Sequence, residues 1–333
     1  MTIRKASLGL ILALTLTFAW TAAASAAPKL GILIYRYEDA YVSTVRDALR
    51  KALDGKAEFT MQDGQGNQDT QNAQVDALIE QQVDGLIVNM VDTQAAGLVL
   101  DKAMAANIPV VFFNREPDLE LLTEYDKAVF IGTNAADAGK MQGDIIKKIW
   151  ADHPEYDLDK DGKFQYVMFK GDPDNPEAIA RSEWSVKQAE LNGVKMDQLG
   201  QTYVCNWDTA LAQEAMAAAL AAHEGRIELA IANNDAMAMG AIAALTKSGY
   251  NIAGGKKYIP VIGVDATDQA VDAINKGHMS GTVKQDGKAM AEAVAAVSLN
   301  LIAGQAPLDG TSHKFDESGL AVRIPYSPYT GAK

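Results

Sequence analysis

Short apolar runs alternate with helical repeats along most of the chain. "KLGILIYRY" is such a run, and Val42, Val45, Leu49 and Leu53 follow it at helical spacing in "YVSTVRDALRKAL". "AQVDALIEQQV" and "AAGLVLDKAMAAN" predict further helices, each followed by an apolar run, "DGLIVNMV" and "IPVVFFN". Apolar runs separated by helices indicate parallel strands that are covered on both faces. The pattern therefore predicts a doubly wound α/β protein.

The same order of elements restarts halfway along the chain. "KFQYVMFKG" opens the second series, "IELAIANND" corresponds to "VDGLIVNMV", and "YIPVIGVDA" corresponds to "NIPVVFFNRE". In each half an Ile-Pro-Val strand ends in a polar residue, Asn114 or Asp265. We therefore predict two lobes of the same topology with a cleft between them. In such sheets, ligands bind beyond the carboxyl ends of the strands.

Polar side chains collect at these strand ends. The four at equivalent places are Asp39, Asn114, Asn234 and Asp265. Arg181 lies shortly after the strand "YVMFKG", while Tyr41 and Trp207 flank two of the loops, one in each half. Asp and Asn often cap helices after strands, which is the alternative interpretation of each residue alone. As a set, these planar donors and acceptors favour a site for a small, uncharged, hydroxyl-rich molecule, with the aromatic rings stacked on a pyranose.

A second candidate site is the stretch "DLDKDGKFQ" at residues 157–165. It follows the spacing of the front half of an EF-hand calcium loop, with a turn at Gly162. Its side chains with ligand oxygens are Asp157, Asp159, Asp161 and Gln165. The twelfth position, where an EF-hand has a bidentate Glu, is Met168. From these residues alone, either the last ligand comes from elsewhere or the stretch is a polar turn.

The N-terminus has the layout of a secretory signal peptide. Arg4 and Lys5 precede an apolar stretch from Leu8 to Trp20, and Ala24-Ser25-Ala26 has the small residues of a cleavage site. The apolar stretch is shorter than the roughly 20 residues of a membrane span. We predict cleavage after Ala26 and a soluble, exported protein, the alternative being an uncleaved anchor.

Charge and cysteine content narrow the function further. The full chain has a net charge of −13, and removal of Arg4 and Lys5 makes it −15. Such acidity argues against nucleic acid and anionic membranes as partners. The single cysteine, Cys205, has no second cysteine to pair with inside the chain and is interpreted as a small buried hydrophobe.

Several motifs together resemble one family. They are "YRYEDAY", "VVFFNREP", "KGDPDNPEAIAR", "NWDTA", "IANNDAMAMGA" and "GVDA", along with "DLDKDGKFQ", and they span nearly the whole mature sequence. The chain resembles the periplasmic galactose/glucose-binding proteins, of the type I periplasmic sugar-binding family. The resemblance implies two Rossmann-like lobes joined by a three-segment hinge, one bound monosaccharide and one calcium ion. It also implies delivery of the sugar to an inner-membrane ABC importer and, in some bacteria, to a chemoreceptor. We expect a monomer in the periplasm.

The resemblance also assigns the lobes. Residues 1–26 are the signal peptide, 27–132 and 287–320 form the N-terminal lobe, and 133–286 and 321–333 form the C-terminal lobe.

Carried over residue by residue, the resemblance implies ten sugar-binding positions. They are Asp39, Tyr41, Asn114, Asn175, Glu177, Arg181, Trp207, Asn234, Asp265 and Gln285. Three of them depart from the family pattern, which has His at Asn175, Asp at Glu177 and Asn at Gln285. The family's usual residue at Tyr41 is Phe. These changes preserve hydrogen bonding and alter the outline of the pocket, so they bear on the choice of sugar.

The resemblance completes the calcium loop as well. It places a distant glutamate just before the strand "AIANND", where this chain has Glu228. The implied ligands are the side chains of Asp157, Asp159, Asp161 and Gln165, the carbonyl of Lys163, and both oxygens of Glu228. Six or more oxygens suit Ca²⁺ better than Mg²⁺. We predict a structural ion.

Two other classes of function share features of this sequence. A glycoside hydrolase could use Asp39 and Asp265 as paired carboxylates, but the sequence shows no apolar setting that would raise the pKa of one of them. A sugar-responsive repressor shares the two-lobed fold, but it needs an N-terminal DNA-binding motif where this chain has a signal peptide. The sequence thus predicts a binding protein rather than an enzyme.

Overall fold

The computed structural model describes residues 26–252 and 255–331 of the 333-residue chain. The predicted signal peptide lies outside the described residues, apart from its last position. Within the described ranges, no helix combines the length and the apolar character needed to cross a bilayer.

Strands and helices alternate along the described chain. The first series consists of β1 (Lys29–Ile34), α1 (Ala40–Leu53), β2 (Glu58–Asp63), α2 (Gln68–Glu80), β3 (Gly85–Val88), α3 (Ala96–Ala106), β4 (Val110–Phe113), α4 (Leu119–Leu122) and β5 (Ala128–Gly132). The second consists of α5 (Ala135–Asp152), β6 (Phe164–Lys170), α6 (Pro176–Leu191), β7 (Met196–Gln198), β8 (Tyr203–Val204), α7 (Thr209–Ala222), β9 (Leu229–Ala232), α8 (Asp235–Lys247), β10 (Val261–Ile262), α9 (Asp268–Asn275) and β11 (Thr282–Gln285). The chain ends with α10 (Gly287–Ile302), β12 (Ala321–Arg323) and β13 (Tyr326–Tyr329). Short 3-10 turns occupy Thr93–Ala95 and Pro154–Tyr156.

The first lobe is built on a parallel sheet with the strand order β12-β5-β4-β3-β1-β2. The apolar face predicted for α1, namely Val42, Val45, Leu49 and Leu53, is buried against this sheet together with α10. Helices α2 and α3 cover the other face. Burial on both faces explains why β3 and β4 are apolar at every position.

The second lobe repeats this arrangement. Its sheet has the order β10-β9-β6-β7, which corresponds to β4-β3-β1-β2, and β8 also pairs with β6. Helices α7 and α8 cover one face, while α5 and α6 cover the other. The predicted fold class is therefore confirmed: two lobes, each a parallel sheet between layers of helices.

The chain crosses between the lobes three times, and the last crossing differs from the prediction. Strand β12 pairs in parallel with β5 of the first sheet, whereas β13 pairs with β11 of the second lobe. The chain therefore crosses between Arg323 and Tyr326, and the assignment of residues 321–323 to the C-terminal lobe is wrong. A three-residue strand carries no periodicity in the sequence. Its place depends on the free edge of β5, which supplies hydrogen bonds to its backbone.

Candidate functional site

One cavity between the lobes collects all ten predicted sugar-binding residues. The space inside it that is open to the centre of a water-sized sphere is about 30 Å³. Asp39, Tyr41 and Asn114 reach it from the first lobe. The second lobe and the crossing after β11 supply the others: Asn175, Glu177, Arg181, Trp207, Asn234, Asp265 and Gln285. Nine of the ten are buried, and Asp39 is half-buried, so this is a closed arrangement of the lobes.

Three site residues are helix caps as well as cavity residues. The Val42 amide donates to Asp39 Oδ1 at 2.7 Å, and the Met237 amide donates to Asn234 Oδ1 at 2.9 Å. Asn175 Oδ1 accepts from the amides of Glu177 and Ala178, in the first turn of α6. Of the four strand-end residues, Asp39 and Asn234 therefore cap helices as the alternative interpretation predicts, and they also line the cavity, because α1 and α8 begin there.

The two Ile-Pro-Val strands each end in a residue with a positive φ. Asn114 has φ of 62° and Asp265 has φ of 124°, values that non-glycine residues rarely adopt. Asn114 Oδ1 accepts from Asn89 Nδ2 at 3.1 Å. Burial raises the pKa of the Asp265 carboxyl well above its usual range, a setting that the sequence did not reveal, and Arg181 opposes that shift. Each strand thus turns sharply at the cleft and places its last side chain in the cavity.

Arg181 lies at the centre of the polar network. Its side chain is 2% exposed. Nη2 donates to Gln285 Oε1 and to Tyr326 Oη, both at 2.9 Å, and Nη1 donates to the Asn233 carbonyl at 3.0 Å. Glu177 Oε2 lies 3.5 Å from Nη2, and burial raises the pKa of the Glu177 carboxyl while Arg181 lowers it. Such a buried cation is retained only where its charge and donors are satisfied.

Trp207 forms one wall of the cavity because its neighbours leave room for the ring. Its backbone is left-handed, with φ of 65°. The indole packs against Gly171, at which a Cβ atom would lie only 2.2 Å from Trp207 Cε2. Glycine is therefore required at position 171. The ring is buried at the edge of the second lobe's apolar core and also faces the site.

The unpaired atoms of the cavity are all hydrogen-bond donors. In the described structure, five buried nitrogens of cavity residues have no partner: Arg115 Nε, Asn175 Nδ2, Arg181 Nε, Trp207 Nε1 and Gln285 Nε2. Buried donors without partners are costly and uncommon in native proteins. Carboxylates from Asp39, Glu177 and Asp265 line the same space. The site thus offers donors and acceptors together, which suits hydroxyl groups because a hydroxyl can do both.

The three crossings meet beside the cavity. Thr133, after β5, forms a 2.7 Å hydrogen bond with Tyr326 Oη, at the start of β13. Thr133 Oγ1 also donates to Glu177 Oε1 at 3.2 Å. Gln285, at the end of β11, joins the same network through Arg181. The hinge between the lobes is therefore connected directly to the polar wall of the site.

Three further residues line the cavity and were not predicted: Tyr35, Val42 and Arg115. Tyr35 Oη donates to Asp39 Oδ2 at 2.6 Å. Arg115 directly follows Asn114 in "VVFFNREP", and Tyr35 directly follows β1. Adjacency to a strand end is thus the signal in the sequence that could have identified both.

Four of the residues predicted to bind calcium at the 157–165 loop lie together. Asp157, Asp159 and Glu228 bring carboxylate oxygens within 4.8 Å of one another. Gln165 lies beside them, with Nε2 donating to Asp159 Oδ2 at 3.3 Å. Asp157 Oδ1 and Gln165 Oε1 are buried without a partner in the described structure. These unpaired atoms are oxygens, so the set of metal-ligating atoms fits a hard cation such as Ca²⁺.

Asp161 is arranged differently from the other predicted carboxylate ligands. Asp161 lies outside the group of three carboxylates. Its Oδ1 accepts from the Lys163 amide at 2.8 Å, and its Oδ2 lies 3.4 Å from Lys163 Nζ. Glu228 accepts from the amides of Leu158 and Gln165, one on each oxygen, which ties the loop to β9. Burial raises the pKa of Glu228, and these two amides oppose the shift.

A two-lobed molecule with a closed polar cavity at its hinge is a protein that captures a small ligand. The family model for the periplasmic binding protein domain matches residues 30–306, and the chain belongs to that family. Its predicted membership of the type I periplasmic sugar-binding proteins is thereby confirmed. The family consists of solute-binding proteins.

Individual relatives cover most of the chain. The D-galactose/methyl-galactoside binding periplasmic protein MglB of Haemophilus influenzae is 37% identical over 303 residues, covering 90% of this chain and 88% of the relative. A putative rhizopine-binding protein of Rhizobium meliloti is 29% identical, and the match covers 85% of this chain and 87% of the relative. The structure is similar to that of an ABC transporter solute-binding protein from Bacillus halodurans C-125 with bound myo-inositol. That similarity has a TM-score of 0.75 at 25% identity and covers 91% and 94% of the two chains.

Proposed function

We propose that the protein captures one neutral pyranose of the galactose or glucose type in its cleft and delivers it, chemically unchanged, to an inner-membrane ABC importer. The observation that carries this proposal is the set of five unpaired donors in a cavity that also holds three carboxylates. A ligand with hydroxyl and ring oxygens satisfies both kinds of group. The relative MglB, named for galactose, agrees with this chemistry. Delivery to a chemoreceptor stays a prediction from the resemblance.

Two of the residues that depart from the family pattern, Asn175 and Gln285, still present donors. Asn175 uses its oxygen as a helix cap, which leaves Nδ2 for a ligand. Gln285 uses its oxygen to accept from Arg181, which leaves Nε2. Glu177 is held by Thr133 and Arg181. We therefore expect the protein to bind sugar, and we expect the altered shape of the pocket to set which sugar it prefers.

Titration calorimetry with D-galactose, D-glucose, D-ribose, D-xylose and myo-inositol tests this proposal. We expect one site per chain and the tightest binding for an aldohexose. Recovered sugar, checked by NMR, should be identical to the sugar added. Binding of none of the five ligands, or recovery of a hydrolysed or oxidised product, would contradict the proposal.

We further propose that the 157–165 loop holds a structural calcium ion. Asp157, Asp159, Gln165 and Glu228 supply the oxygens, and the ion would neutralise the carboxylates that crowd there. The loop belongs wholly to the second lobe, so the ion would stabilise that lobe without joining the two lobes.

Elemental analysis and thermal unfolding with and without a chelator test the calcium proposal. We expect one calcium per chain and a melting temperature that falls on chelation, since an ion that binds only the folded state stabilises it. Sugar affinity should change less than twofold. An unchanged melting curve with no bound calcium would show that the loop is a polar turn.

A further inference from the structure

Arg115 makes an ion pair across the mouth of the cleft. It follows β4 in the first lobe, and its Nη2 lies 2.8 Å from Oδ2 of Asp172, which belongs to the loop before α6 in the second lobe. The two side chains are 9% and 31% exposed. Among the ion pairs of residues 26–252 and 255–331, this one joins the two lobes away from the crossing segments.

The first lobe holds Arg115 in place. The guanidinium carbon lies 4.4 Å from the centroid of the Tyr35 ring, and Nη2 also donates to the Val91 carbonyl at 2.9 Å. Tyr35 in turn donates to Asp39, a predicted sugar ligand. These contacts lie within the first lobe, so they position Arg115 whether or not the second lobe approaches.

The partner residue is tied to the ligand-facing part of the second lobe. The Asp172 carbonyl accepts from the Asn175 amide at 3.1 Å, and Asn175 both caps α6 and lines the cavity. A second contact lies at the same mouth: Arg36 Nη2 donates to the carbonyl of Asn206, the residue before Trp207, at 3.2 Å. The mouth of the cleft is thus closed by polar contacts from first-lobe arginines to two loops of the second lobe.

Arg115 also has a donor that none of these contacts uses. Its Nε is buried without a partner, and the residue lines the ligand cavity. One guanidinium therefore presents Nη2 to the opposite lobe while its Nε stays unsatisfied at the cavity wall. A planar fork with fixed donor directions can serve two partners at once, which a lysine ammonium does less well.

We infer that Arg115 couples ligand capture to lobe closure, with Nε donating to a ligand oxygen and Nη2 clamping Asp172 of the other lobe. This inference rests on the proposed sugar-binding function and adds a positioning residue to it. Because the ion pair forms only when the lobes are closed, its loss should speed opening and ligand release more than it slows capture. The Arg115–Asp172 pair forms after the sugar has entered the cleft. Contacts formed at that stage act mainly on the dissociation rate.

Stopped-flow tryptophan fluorescence with D-galactose, or with D-glucose if the parent binds it more tightly, tests the clamp. Asp172→Asn should raise the dissociation rate on the order of fivefold and change the association rate less than twofold. It should also weaken the dependence of dissociation on ionic strength, because a charge pair has been removed. The matched control is Asp174→Asn, which removes one charge from an exposed acid at the same mouth and should leave both rates within twofold of the parent.

Arg115→Lys separates the two roles of the side chain. It keeps the charge that pairs with Asp172 but lacks Nε, so we expect weaker sugar binding with the ionic-strength dependence of the parent. Circular dichroism and melting temperature establish that each variant is folded. Equal rates for Asp172→Asn and Asp174→Asn, or parental affinity in Arg115→Lys, would overturn the inference. A parent that binds none of the sugars would instead overturn the proposed function.

Discussion

The interlobe cleft and the 157–165 loop both bury polar atoms without partners, and the two sets are chemically opposite. In the cleft the unpaired atoms are nitrogens, among them Arg181 Nε and Trp207 Nε1. In the loop they are oxygens, Asp157 Oδ1 and Gln165 Oε1. Buried polar groups in folded proteins nearly always have a hydrogen-bond partner. Whether the unpaired atoms are donors or acceptors therefore indicates what kind of ligand binds. Donors call for a molecule rich in oxygen, and clustered oxygens call for a cation.

The two regions also differ in what they connect. Both lobes line the cleft, so its ligand affects the relation between the lobes. The loop, together with Glu228 beside β9, lies within the second lobe, so its ion affects the stability of that lobe. Variants of the cleft should therefore change affinity, and variants of the loop should change melting. The following predictions test that separation, from the largest expected effect to the smallest.

Asp265→Asn should weaken sugar binding about tenfold to hundredfold. In the sugar complex, hydroxyl donors and Arg181 favour the ionised carboxylate that burial alone disfavours. The change replaces this carboxylate with an amide that has one acceptor oxygen, and hydrogen bonds to charged groups contribute about 1.5–3 kcal/mol. Asn tolerates the positive φ at this position better than most residues. Calorimetry measures the effect, with Asp268→Asn, an exposed acid nearby, as the control. Parental affinity in Asp265→Asn would remove this carboxylate from the proposed ligand set.

Trp207→Ala should weaken sugar binding roughly tenfold or more, because the indole supplies a large flat apolar face worth on the order of 1–3 kcal/mol. Trp184→Ala is the matched control, since Trp184 lies on α6 away from the cavity and carries Lys140 and Lys187 against its ring. The control should retain affinity within twofold. If the two variants bind equally well, Trp207 is a core residue only.

Glu228→Gln should abolish most of the calcium-dependent rise in melting temperature while leaving sugar affinity within twofold. One of its two carboxylate oxygens is lost, together with the negative charge that favours the ion. The relevant measurement is the difference between melting with calcium and melting with chelator, because the variant also alters hydrogen bonds to Leu158 and Gln165. Glu224→Gln, at an exposed acid just before it, should behave as the parent. A calcium response that survives in Glu228→Gln would place the ion elsewhere.

Asp235, below the cleft, should respond to pH in the opposite sense to Asp161 of the loop. Burial raises the pKa of Asp235 to about 7, whereas hydrogen bonds from Lys163 lower the pKa of Asp161 despite some desolvation. A raised carboxyl pKa means that the folded state holds a proton that the unfolded chain releases near pH 4. The contribution of Asp235 to the free energy of unfolding should therefore fall as pH rises from about 4 to about 7.

Asp235→Asn isolates this effect. The amide mimics the protonated acid, so the stability advantage of the variant over the parent should grow by about 2–3 kcal/mol from pH 5 to pH 8. Denaturant-induced unfolding of the variant and the parent at pH 5 and pH 8 measures the difference in the free energy of unfolding. Thr267 and Thr282, whose groups donate to Asp235, can bond to the amide as well. A stability difference that does not depend on pH would show that Asp235 is ionised throughout this range.

The internal repeat explains why much of the site could be predicted. Asn89 Oδ1 accepts from the Tyr35 amide in the first lobe, and Asn233 Oδ1 accepts from the Gly171 amide in the second. The two asparagines end equivalent strands and hold equivalent loops. A pattern of apolar strands ending in Asn or Asp is visible in the sequence, because parallel strands are apolar throughout and polar only where they end. Asn114 and Asp265 could be identified in this way.

Other parts of the site depend on residues that have no such pattern. Arg181 and Gln285 are 104 positions apart, yet they share a hydrogen bond. Asn175, Glu177 and Gln285 were expected only from the resemblance to a family. Arg115 and Tyr35 escaped prediction, since the contact of the guanidinium with the ring joins distant segments of the first lobe, and the pairing with Asp172 joins the two lobes.

The sequence by itself determined the class of this protein: the alternation of apolar runs and helical repeats specifies covered parallel sheets, and their repetition specifies two lobes. It also determined which strand ends are polar and where an acidic loop with ligand spacing lies. The tertiary structure alone decided which of those oxygens gather around Glu228, and it left Asp161 paired with Lys163 instead. It also decided that residues 321–323 complete the first sheet. The reason is physical: periodicity reports which face of a local element is buried, whereas edge pairing, ion pairs and ligand geometry depend on distances between segments far apart in the chain.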